Sequence, residues 1–451
     1  MASAQRTRLT ERVIDVTGRT RTKASALVEL VEDTMGVRLP VRLRAWDGSE
    51  AGAAAGPGTP VVVVRSRRAL RHVLWQPGEL GVARAYVQGD LDVEGDLADA
   101  MRVMWRTVRE ARTADPKAAR SRIGVRQAGR ALALAARMGA IGPRPKPPAS
   151  ESRLSGAKHS RERDRAAIAH HYDLSNDFYE LILDSQMAYS SGYWTSTDDS
   201  YGIEDAQHDK LDLVCRKLGL EAGMRMLDIG CGWGSLSLYA ARTYGVHVTG
   251  VTLSSEQRDY VRARSAEQGV SDKVDVSLTH FRDLKATDVD AVASLEMGEH
   301  VGDAEYADFC SSLYRYCRPG GRVLIQQMSR STDTPGGGPF IETYIAPDMH
   351  MKPLAKTLAM ITDAGLEIRD VQVMREHYPL TVAAWARNLQ HRWDEACALV
   401  GEETARVWRL YLAGGSLAFE ENRMGVDQIL SVRPSEAGRS AMPLTPMAWL
   451  A

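Results

Sequence analysis

Cysteine is scarce in this 451-residue chain, which contains only five. An odd number of cysteines cannot pair completely, and their spacing matches neither a zinc motif nor a small disulfide-stapled fold. A structural metal site and a disulfide framework are therefore not expected, whereas reduced thiols in a cytoplasmic protein are. The five residues are Cys215, Cys231, Cys310, Cys317 and Cys397.

Long apolar runs are also missing. No stretch approaches the ~18 to 20 consecutive apolar residues with which a helix crosses a bilayer. The opening residues, MASAQRTRLTERVIDV, contain no apolar signal core. The sequence has no internal repeat and no flavin or nicotinamide motif. The sequence therefore predicts a cytoplasmic protein that uses no metal. Without a flavin or nicotinamide site, it is not expected to carry out a reduction by itself.

Length and composition suggest two domains. The chain is 44% apolar and 25% charged, which is typical of a globular protein with a substantial core. Residues 1–136 mix helix-like segments such as VELVEDTM with strand-like ones such as PVVVVRS, which predicts a small α+β domain. Residues 137–165 are rich in proline, serine and charge, as in a mobile linker. In residues 166–451 strands alternate with helices, which predicts an α/β domain with a parallel sheet.

Positive charge is concentrated between Arg102 and Arg165. This segment, 102–165, has 17 lysines and arginines against 5 acidic residues, although the whole chain has a formal net charge of −1. A solvated helix face followed by a charged linker is one interpretation, and composition alone favours it. A surface for anionic lipid headgroups is the second. Nucleic acid is the third, but the segment has no recognition motif and no interleaved aromatics, so no nucleic-acid partner is expected.

The strongest local signal is MRMLDIGCGWGSLSLYAA, in which a strand ending at Asp228 leads through alternating glycines into a helix. Glycines let a backbone turn tightly and approach a ligand closely. A dinucleotide-binding loop has the spacing G-x-G-x-x-G, from which this loop departs. The spacing resembles motif I of S-adenosylmethionine-dependent methyltransferases, which predicts that cofactor. The glycines are Gly230, Gly232 and Gly234.

A second part of the cofactor site is expected where the next strand ends. VHVTGVTLSSEQ reaches Thr252 and Leu253 and continues to Gln257. The acidic residue that binds ribose in dinucleotide folds is absent there. Gln257 can hydrogen-bond ribose hydroxyls, and an exposed position in a first helical turn is an equally good interpretation.

Further stretches identify a family. HHYDLSNDFYELILDSQMAYSSGYW, LDIGCGWGSLSLYAA, MGEHVG and EHYPLTVAAWARNL resemble the cyclopropane-fatty-acyl-phospholipid synthases and mycolic acid methyltransferases over residues 170–434. VARAYVQGDLDVEGDL resembles the extra N-terminal domain of the phospholipid-acting members. The resemblance implies a Rossmann-like α/β methyltransferase fold, unsaturated phospholipid acyl chains as substrate, and a homo-oligomer. Residues 335–361 are the expected acyl-chain lid, since the run Gly336–Gly338 favours mobility.

The resemblance also assigns site residues. Glu299 and Tyr378 match the family's active-site glutamate and tyrosine, while Tyr189 and Ser190 would close over the cofactor. Taken alone, either tyrosine could be a packed core aromatic. His280 and Phe281 would flank the adenine. The cofactor pocket would also include Gly230, Gly232, Thr252, Leu253, Gln257 and Leu295.

The sequence departs from the family around one small anion site. In cyclopropane synthases a bicarbonate ion serves as the base. Near that ion, the family's cysteine, histidine and glycine correspond here to Ser191, Gln326 and Glu296. A carboxylate repels a second anion at close range, so bicarbonate is expected to be absent and Glu296 to act as the base, with Ser191 and Gln326 as neutral hydrogen-bond partners. The alternative is that Glu296 points away into a salt bridge and the anion site is lost.

Together, these residues predict an enzyme that adds a methylene carbon across the cis double bond of an acyl chain, converting oleoyl to 10-methylene-stearoyl chains. A carbocation forms after methyl transfer, and the base determines which proton leaves. A separate reductase would then saturate the product, and the enzyme would work at the inner membrane surface. The alternatives are a cyclopropane synthase and a non-catalytic lipid-binding scaffold that retains the cofactor fold.

Overall fold

The chain forms two compact units, Met1–Ala149 and Ser150–Ala451, in a computed structural model. The structure describes residues 13–14, 20–114, 125–152, 163, 175–285, 287–330 and 336–450. Parts of the predicted segments lie outside this description: 1–12, 15–19 and 115–124 of the first domain, 153–162 and 164–165 of the linker, and 166–174, 286, 331–335 and 451 of the methyltransferase domain.

The first unit is a small α+β fold. Its strands are β1 (Val13–Ile14), β2 (Thr20–Arg21), β3 (Arg42–Arg44), β4 (Glu50–Gly52), β5 (Val61–Val64) and β6 (Leu91–Glu94). Its helices are α1 (Lys23–Met35), α2 (Arg68–Trp75), α3 (Glu79–Val87), α4 (Leu97–Ala114) and α5 (Val125–Arg137). One sheet has the order β4-β3-β5-β6, and β1 pairs with β2. Met138 and Ala140, which open the predicted linker, are buried within this unit.

The second unit is built on a seven-stranded sheet. Its strands are β7 (Arg225–Ile229), β8 (His247–Thr252), β9 (Val274–Leu278), β10 (Val289–Leu295), β11 (Cys317–Ser329), β12 (Glu367–Val373) and β13 (Gly425–Val432). The order is β12-β13-β11-β10-β7-β8-β9. Strands β7 to β11 run parallel, whereas β13 runs antiparallel to both neighbours. The prediction of a parallel sheet is therefore wrong for β13, which enters between β11 and β12.

Helices flank this sheet and connect its strands. They are α6 (Asn176–Ile182), α7 (Ile203–Leu218), α8 (Ser235–Tyr239), α9 (Ser255–Glu267), α10 (Tyr306–Tyr316), α11 (Pro339–Tyr344), α12 (Leu354–Asp363), α13 (His377–His391), α14 (Trp393–Glu420) and α15 (Met447–Leu450). A π-helical turn, Ala240–Tyr244, continues α8. Short 3₁₀ turns occupy Phe281–Asp283 and Gly298–His300. Helix α14 is kinked at Gly401, whose φ is 80° and ψ 152°.

The sheet is covered on both faces, which explains why its strands are apolar. In β10, Ala291 and Ala293 belong to one buried cluster, while Val292 between them belongs to another. Successive side chains of a strand point to opposite faces, so both faces of β10 are buried. The carboxyl ends of β7 to β10 meet at one edge, which is where parallel sheets bind ligands. Within the described residues, no helix is both long and apolar enough to cross a membrane.

Candidate functional site

A cavity opens at the carboxyl edge of β7 to β10. It encloses about 1150 Å³ of space between protein atoms, part of it open to solvent. Twelve of the predicted site residues line it: Tyr189, Ser190, Asp228, Gly230, Gly232, Thr252, Leu253, Gln257, His280, Phe281, Leu295 and Glu296. Gly234 does not. A Cβ on Gly234 would lie 2.8 Å from the Val261 side chain, so this glycine packs the loop against α9.

The glycine loop forms one wall of the cavity. Gly230 has a φ of 77°, a left-handed conformation that favours glycine, and a Cβ there would lie 2.7 Å from Met297. A Cβ on Gly232 would meet no atom within 4 Å, so its backbone borders open space. Asp228 accepts a 2.7 Å hydrogen bond from the Ser237 hydroxyl, which fixes β7 to α8. Burial raises the pKa of the Asp228 carboxyl to about 6.

Another part of the cavity lining carries the groups predicted to meet a nucleoside. Gln257 is buried, so the alternative that it is an exposed helix residue is wrong. Its side-chain oxygen accepts a 2.7 Å hydrogen bond from the Thr252 hydroxyl. The rings of His280 and Phe281 lie side by side, with centroids 4.6 Å apart.

These walls fit S-adenosylmethionine. The open backbone at Gly232 leaves room for the amino-acid part of the cofactor beside the glycine loop. A buried amide at Gln257 suits ribose hydroxyls, and the half-buried ring of His280 suits a flat base. No cluster of metal-ligating side chains occurs among the residues that the structure describes.

A carboxylate site adjoins the cavity at the end of β10. The Glu296 carboxylate accepts hydrogen bonds from the Ser191 N–H at 2.8 Å, the Gln326 amide at 2.9 Å and the Tyr378 hydroxyl at 2.5 Å. Four of the five predicted catalytic residues therefore meet at one carboxylate. Its partners are neutral hydrogen-bond donors, so the alternative of an outward salt bridge is wrong. Ser191 contributes its backbone, because its hydroxyl donates to the Gly192 carbonyl.

The backbone at Glu296 is unusual. Its φ is 52°, in the left-handed region that side chains other than glycine rarely adopt. The Glu296 N–H donates to the Gln326 carbonyl at 2.6 Å, which ties the turn to β11. Burial raises the pKa of the Glu296 carboxyl, while Tyr378, Ser191 and Gln326 oppose that rise by hydrogen bonding to its charged form. Burial also raises the pKa of the Tyr378 hydroxyl well above its usual value, so it stays a donor.

Glu299, the fifth predicted catalytic residue, lies in a different environment. It is 1% exposed and does not line the cavity. One carboxylate oxygen accepts from the Met328 N–H at 2.5 Å, and the other is buried with no hydrogen-bond partner among the described residues. Burial, and then the neighbouring Glu296, raise the pKa of Glu299 to about 8. Because an unpartnered buried oxygen favours the neutral acid, Glu299 holds a proton at pH 7.

Several residues that complete the site were not predicted from the sequence. The Gln428 amide, on β13, donates to the Gln326 side-chain oxygen at 2.9 Å and so fixes which end of Gln326 faces Glu296. Thr381, one turn after Tyr378, accepts from the Gly192 N–H at 3.0 Å. Tyr411 lies 3.2 Å from the Tyr189 hydroxyl. Thr381 lies within the stretch EHYPLTVAAWARNL, but its role, like those of Gln428 and Tyr411, depends on a partner distant in sequence.

The predicted lid is partly helical. Its described residues, 336–361, contain α11 and most of α12. Tyr344 donates to the Glu151 carboxylate at 2.8 Å, and the Ser152 N–H donates to the Thr343 carbonyl at 2.9 Å. The His350 N–H donates to the Glu299 carbonyl at 2.7 Å, so this segment touches the backbone of the carboxylate site.

Comparisons with known proteins agree on one family. The profile of the mycolic acid cyclopropane synthetase family matches residues 159–429. A probable fatty acid methyltransferase of Pseudomonas putida is 36% identical over 425 residues, covering 93% of this chain and 98% of the relative. Tuberculostearic acid methyltransferase UfaA1 of Mycobacterium tuberculosis is 31% identical, covering 88% of each chain. The solved structure of the M. tuberculosis cyclopropane synthase MmaA2 superimposes with a TM-score of 0.56 at 30% identity, covering 59% of this chain and 97% of that one.

The protonation of Glu299 predicts a pH dependence of stability. A carboxyl whose pKa rises from about 4.5 to about 8 on folding favours the folded state fully below pH 4.5, and this contribution is lost as the pH rises towards 8. Across that window, wild type should lose about 1.4 kcal/mol of unfolding free energy per pH unit relative to Glu299→Gln. Urea unfolding of both proteins at several pH values within the window measures the difference. The exposed control Glu267→Gln should follow wild type, and parallel curves for Glu299→Gln and wild type would contradict the assignment.

Proposed function

Because this chain belongs to the mycolic acid cyclopropane synthetase family, we propose that it converts cis-unsaturated phospholipid acyl chains, oleoyl chains above all, to 10-methylene-stearoyl chains. The α/β fold and the S-adenosylmethionine-dependent methyltransferase activity predicted from the sequence are confirmed by this membership. The position of the double bond, the phospholipid form of the substrate and the methylene product belong to the proposal. The observation that carries it is the Glu296 carboxylate with three neutral donors.

The cofactor, when bound, supplies an electrophilic methyl group. One alkene carbon would form a bond to that methyl as the methyl's bond to sulfur breaks; the sulfur would keep the electron pair and leave as a neutral thioether, and a cation would remain on the other alkene carbon. A hydride shift moves the positive charge to the methylated carbon. Loss of a proton from the new methyl group then gives the exocyclic double bond, so the electrons balance without an oxidant or reductant. One protein group must accept that proton.

Glu296 suits this role better than Glu299. It lines the cofactor cavity, whereas Glu299 does not. Its three donors favour the ionised form, and its raised pKa makes it a stronger base than a solvated carboxylate. A carboxylate beside a forming cation also stabilises that charge. Neutral Glu299 adds no second negative charge that would compete for the proton.

Aromatic side chains surround this position and suit an apolar acyl chain. The ring of Tyr378 lies 4.3 Å from that of Phe419 and 6.2 Å from that of Trp385, measured between centroids. The ring of Tyr189 lies 5.3 Å from that of Trp385. Such rings present apolar surface and electron-rich faces to a cation. We propose that the acyl chain enters here and that residues 336–361 cover it.

Product analysis tests the proposed reaction. Lipids from a bacterial host that makes oleoyl phospholipids and expresses this chain should gain one carbon per modified acyl chain, measured by mass spectrometry. Proton NMR should show a terminal methylene group. The saturated 10-methyl product should be absent, because we assign the reduction to a separate enzyme. Cyclopropane ring protons as the main signal would overturn the methylene proposal, and unmodified lipids with purified enzyme and cofactor would support the non-catalytic alternative.

The role of Glu296 has a direct test. Glu296→Gln keeps the shape of the side chain but removes its basicity, so kcat should fall by a factor of at least about 10², the lower end of what general base catalysis supplies. Cofactor affinity, measured by calorimetry, should stay near that of wild type. Glu395→Gln, the same change at a glutamate whose side chain is 61% exposed, is the matched control. Turnover of Glu296→Gln near that of wild type would reject the base role.

We also propose that the first unit meets an anionic membrane surface. Arg106 and Arg137 are exposed in α4 and α5 of the basic segment. Trp75 is 52% exposed and donates its indole N–H to the Gly142 carbonyl, beside Ile141, which is 54% exposed. An exposed tryptophan and an aliphatic side chain near cationic helices match the interfacial region of a bilayer, where aromatic rings and lysine or arginine side chains concentrate.

Charge reversal tests the membrane proposal. The double variant Arg106→Glu, Arg137→Glu should bind vesicles of anionic phospholipid at least about 30-fold more weakly in co-sedimentation, since each basic residue near the surface contributes about 1 kcal/mol. The double variant Arg242→Glu, Arg439→Glu changes the net charge equally at exposed arginines outside the segment and should bind like wild type. Equal loss in both variants would mean that overall charge, and not this segment, controls binding.

A further inference from the structure

A fully buried lysine, Lys210, lies on the inner face of α7 beside the cofactor cavity. Its side chain has no exposed surface, and its ammonium group donates to the Ser190 hydroxyl at 2.9 Å. One turn earlier, the Gln207 amide donates to the carbonyls of Ser190 at 2.8 Å and Ala188 at 3.2 Å. Helix α7 thus holds the loop of residues 188–191 in place through the side chains of Gln207 and Lys210. A buried ammonium is costly unless a nearby negative charge compensates it.

Three carboxyl groups face this ammonium. They come from the loop after α6, from β7 and from the turn after β10, and they interact electrostatically with Lys210: Asp184, Asp228 and Glu296. The Cys215 thiol faces it from its own helix, α7. Lys210 binds Ser190, and Glu296 accepts from the N–H of the next residue, Ser191. The cation and the carboxylate therefore hold adjacent residues of one loop.

We propose that Lys210 is a positioning residue that keeps the Glu296 carboxylate ionised in the resting enzyme. This inference deepens the proposed function, because it rests on Glu296 being the base. A positive charge near a buried carboxylate favours its charged form, and Lys210 acts on Glu296 in this direction. Among the described residues, Tyr378 from α13, Tyr411 from α14 and Glu299 from the 3₁₀ turn also interact with Glu296. None of these three supplies a positive charge.

Protonation of Lys210 itself is consistent with this role. Burial lowers the pKa of the ammonium to about 8, while Asp184, Glu296 and Asp228 raise it. Lys210 therefore stays mostly charged at pH 7. Asp184 is already satisfied by the N–H groups of Gln186 at 3.0 Å and Ala188 at 2.9 Å.

A purely structural role for Lys210 predicts a different result, so an experiment can distinguish it from the proposed effect on the charge of Glu296. If Lys210 only anchors Ser190, its loss should lower activity or stability equally at every pH. If it sets the charge of Glu296, its loss should move the titration of Glu296 to higher pH. A positive charge near a carboxyl group lowers its pKa, so the titration of Glu296 should move measurably to higher pH when the Lys210 ammonium is removed.

The experiment compares Lys210→Met with Lys217→Met. Lys217 is a second fully buried lysine on α7, but its ammonium pairs with Asp370 at 2.9 Å and donates to Gln372 at 2.7 Å on β12. Both variants remove a buried ammonium group from α7, but only Lys210→Met removes one beside the Glu296 site. Lys210→Gln, which can still donate to Ser190, is used if circular dichroism shows that Lys210→Met does not fold. Lys210→Arg keeps the charge and should restore the wild-type profile.

Two readouts are measured for each variant: the pH profile of kcat, and the infrared carboxylate signal of Glu296, obtained by subtracting the Glu296→Gln spectrum at each pH. Lys210→Met should move both profiles to higher pH, and Lys217→Met neither. If only the infrared titration moves, the Lys210 proposal holds and Glu296 is not the base. If the infrared titration does not move, the Lys210 proposal is overturned, whatever happens to the rate.

Discussion

The burial of carboxyl groups at the carboxyl edge of one sheet is the constraint on which this site depends. Asp228 and Glu299 lie almost wholly out of solvent, and Glu296 is half-buried at the cavity wall. Each carboxyl has its own compensation. Asp228 accepts from Ser237, Glu296 accepts from three donors, and Glu299 holds a proton. Without these arrangements a buried negative charge would cost several kcal/mol and the sheet edge would not be stable.

The proposed base, Glu296, is assembled only when the chain folds. Its donors come from residues 191, 326 and 378, which lie on a loop, on β11 and on α13. The loop is in turn held by α7 and α13 through Gln207, Lys210 and Thr381. Because Glu296 also lines the cofactor cavity, the same loop borders both that cavity and the proposed proton acceptor. A displacement of this loop would therefore affect binding and chemistry together.

Much of this arrangement could be predicted from the sequence, because some of its features are formed by residues that lie close together in the chain. The glycine loop after β7 and the apolar run of β10 each carry their signal within a few residues. Glu296 could be singled out because it replaces a residue in an otherwise matching motif. The antiparallel strand β13 could not be predicted, since its direction depends on pairing with β11 and β12. Lys210 and Gln428 were missed for the same reason, since both face partners distant in sequence. The sequence also could not distinguish the environments of Glu296 and Glu299. Only the structure shows that Glu296 lines the cavity and Glu299 does not.

The left-handed backbone at Glu296 bears on how such a site can arise. The resemblance to the cyclopropane synthases implies glycine at this position in the family, and glycine adopts a φ of 52° without strain. A glutamate there keeps the same turn at a cost on the order of 1 kcal/mol. A single codon change from glycine to glutamate could therefore introduce a permanently tethered base without rebuilding the backbone. The enzyme would then no longer depend on the cellular supply of a dissociable anion, and its activity would become independent of dissolved carbon dioxide.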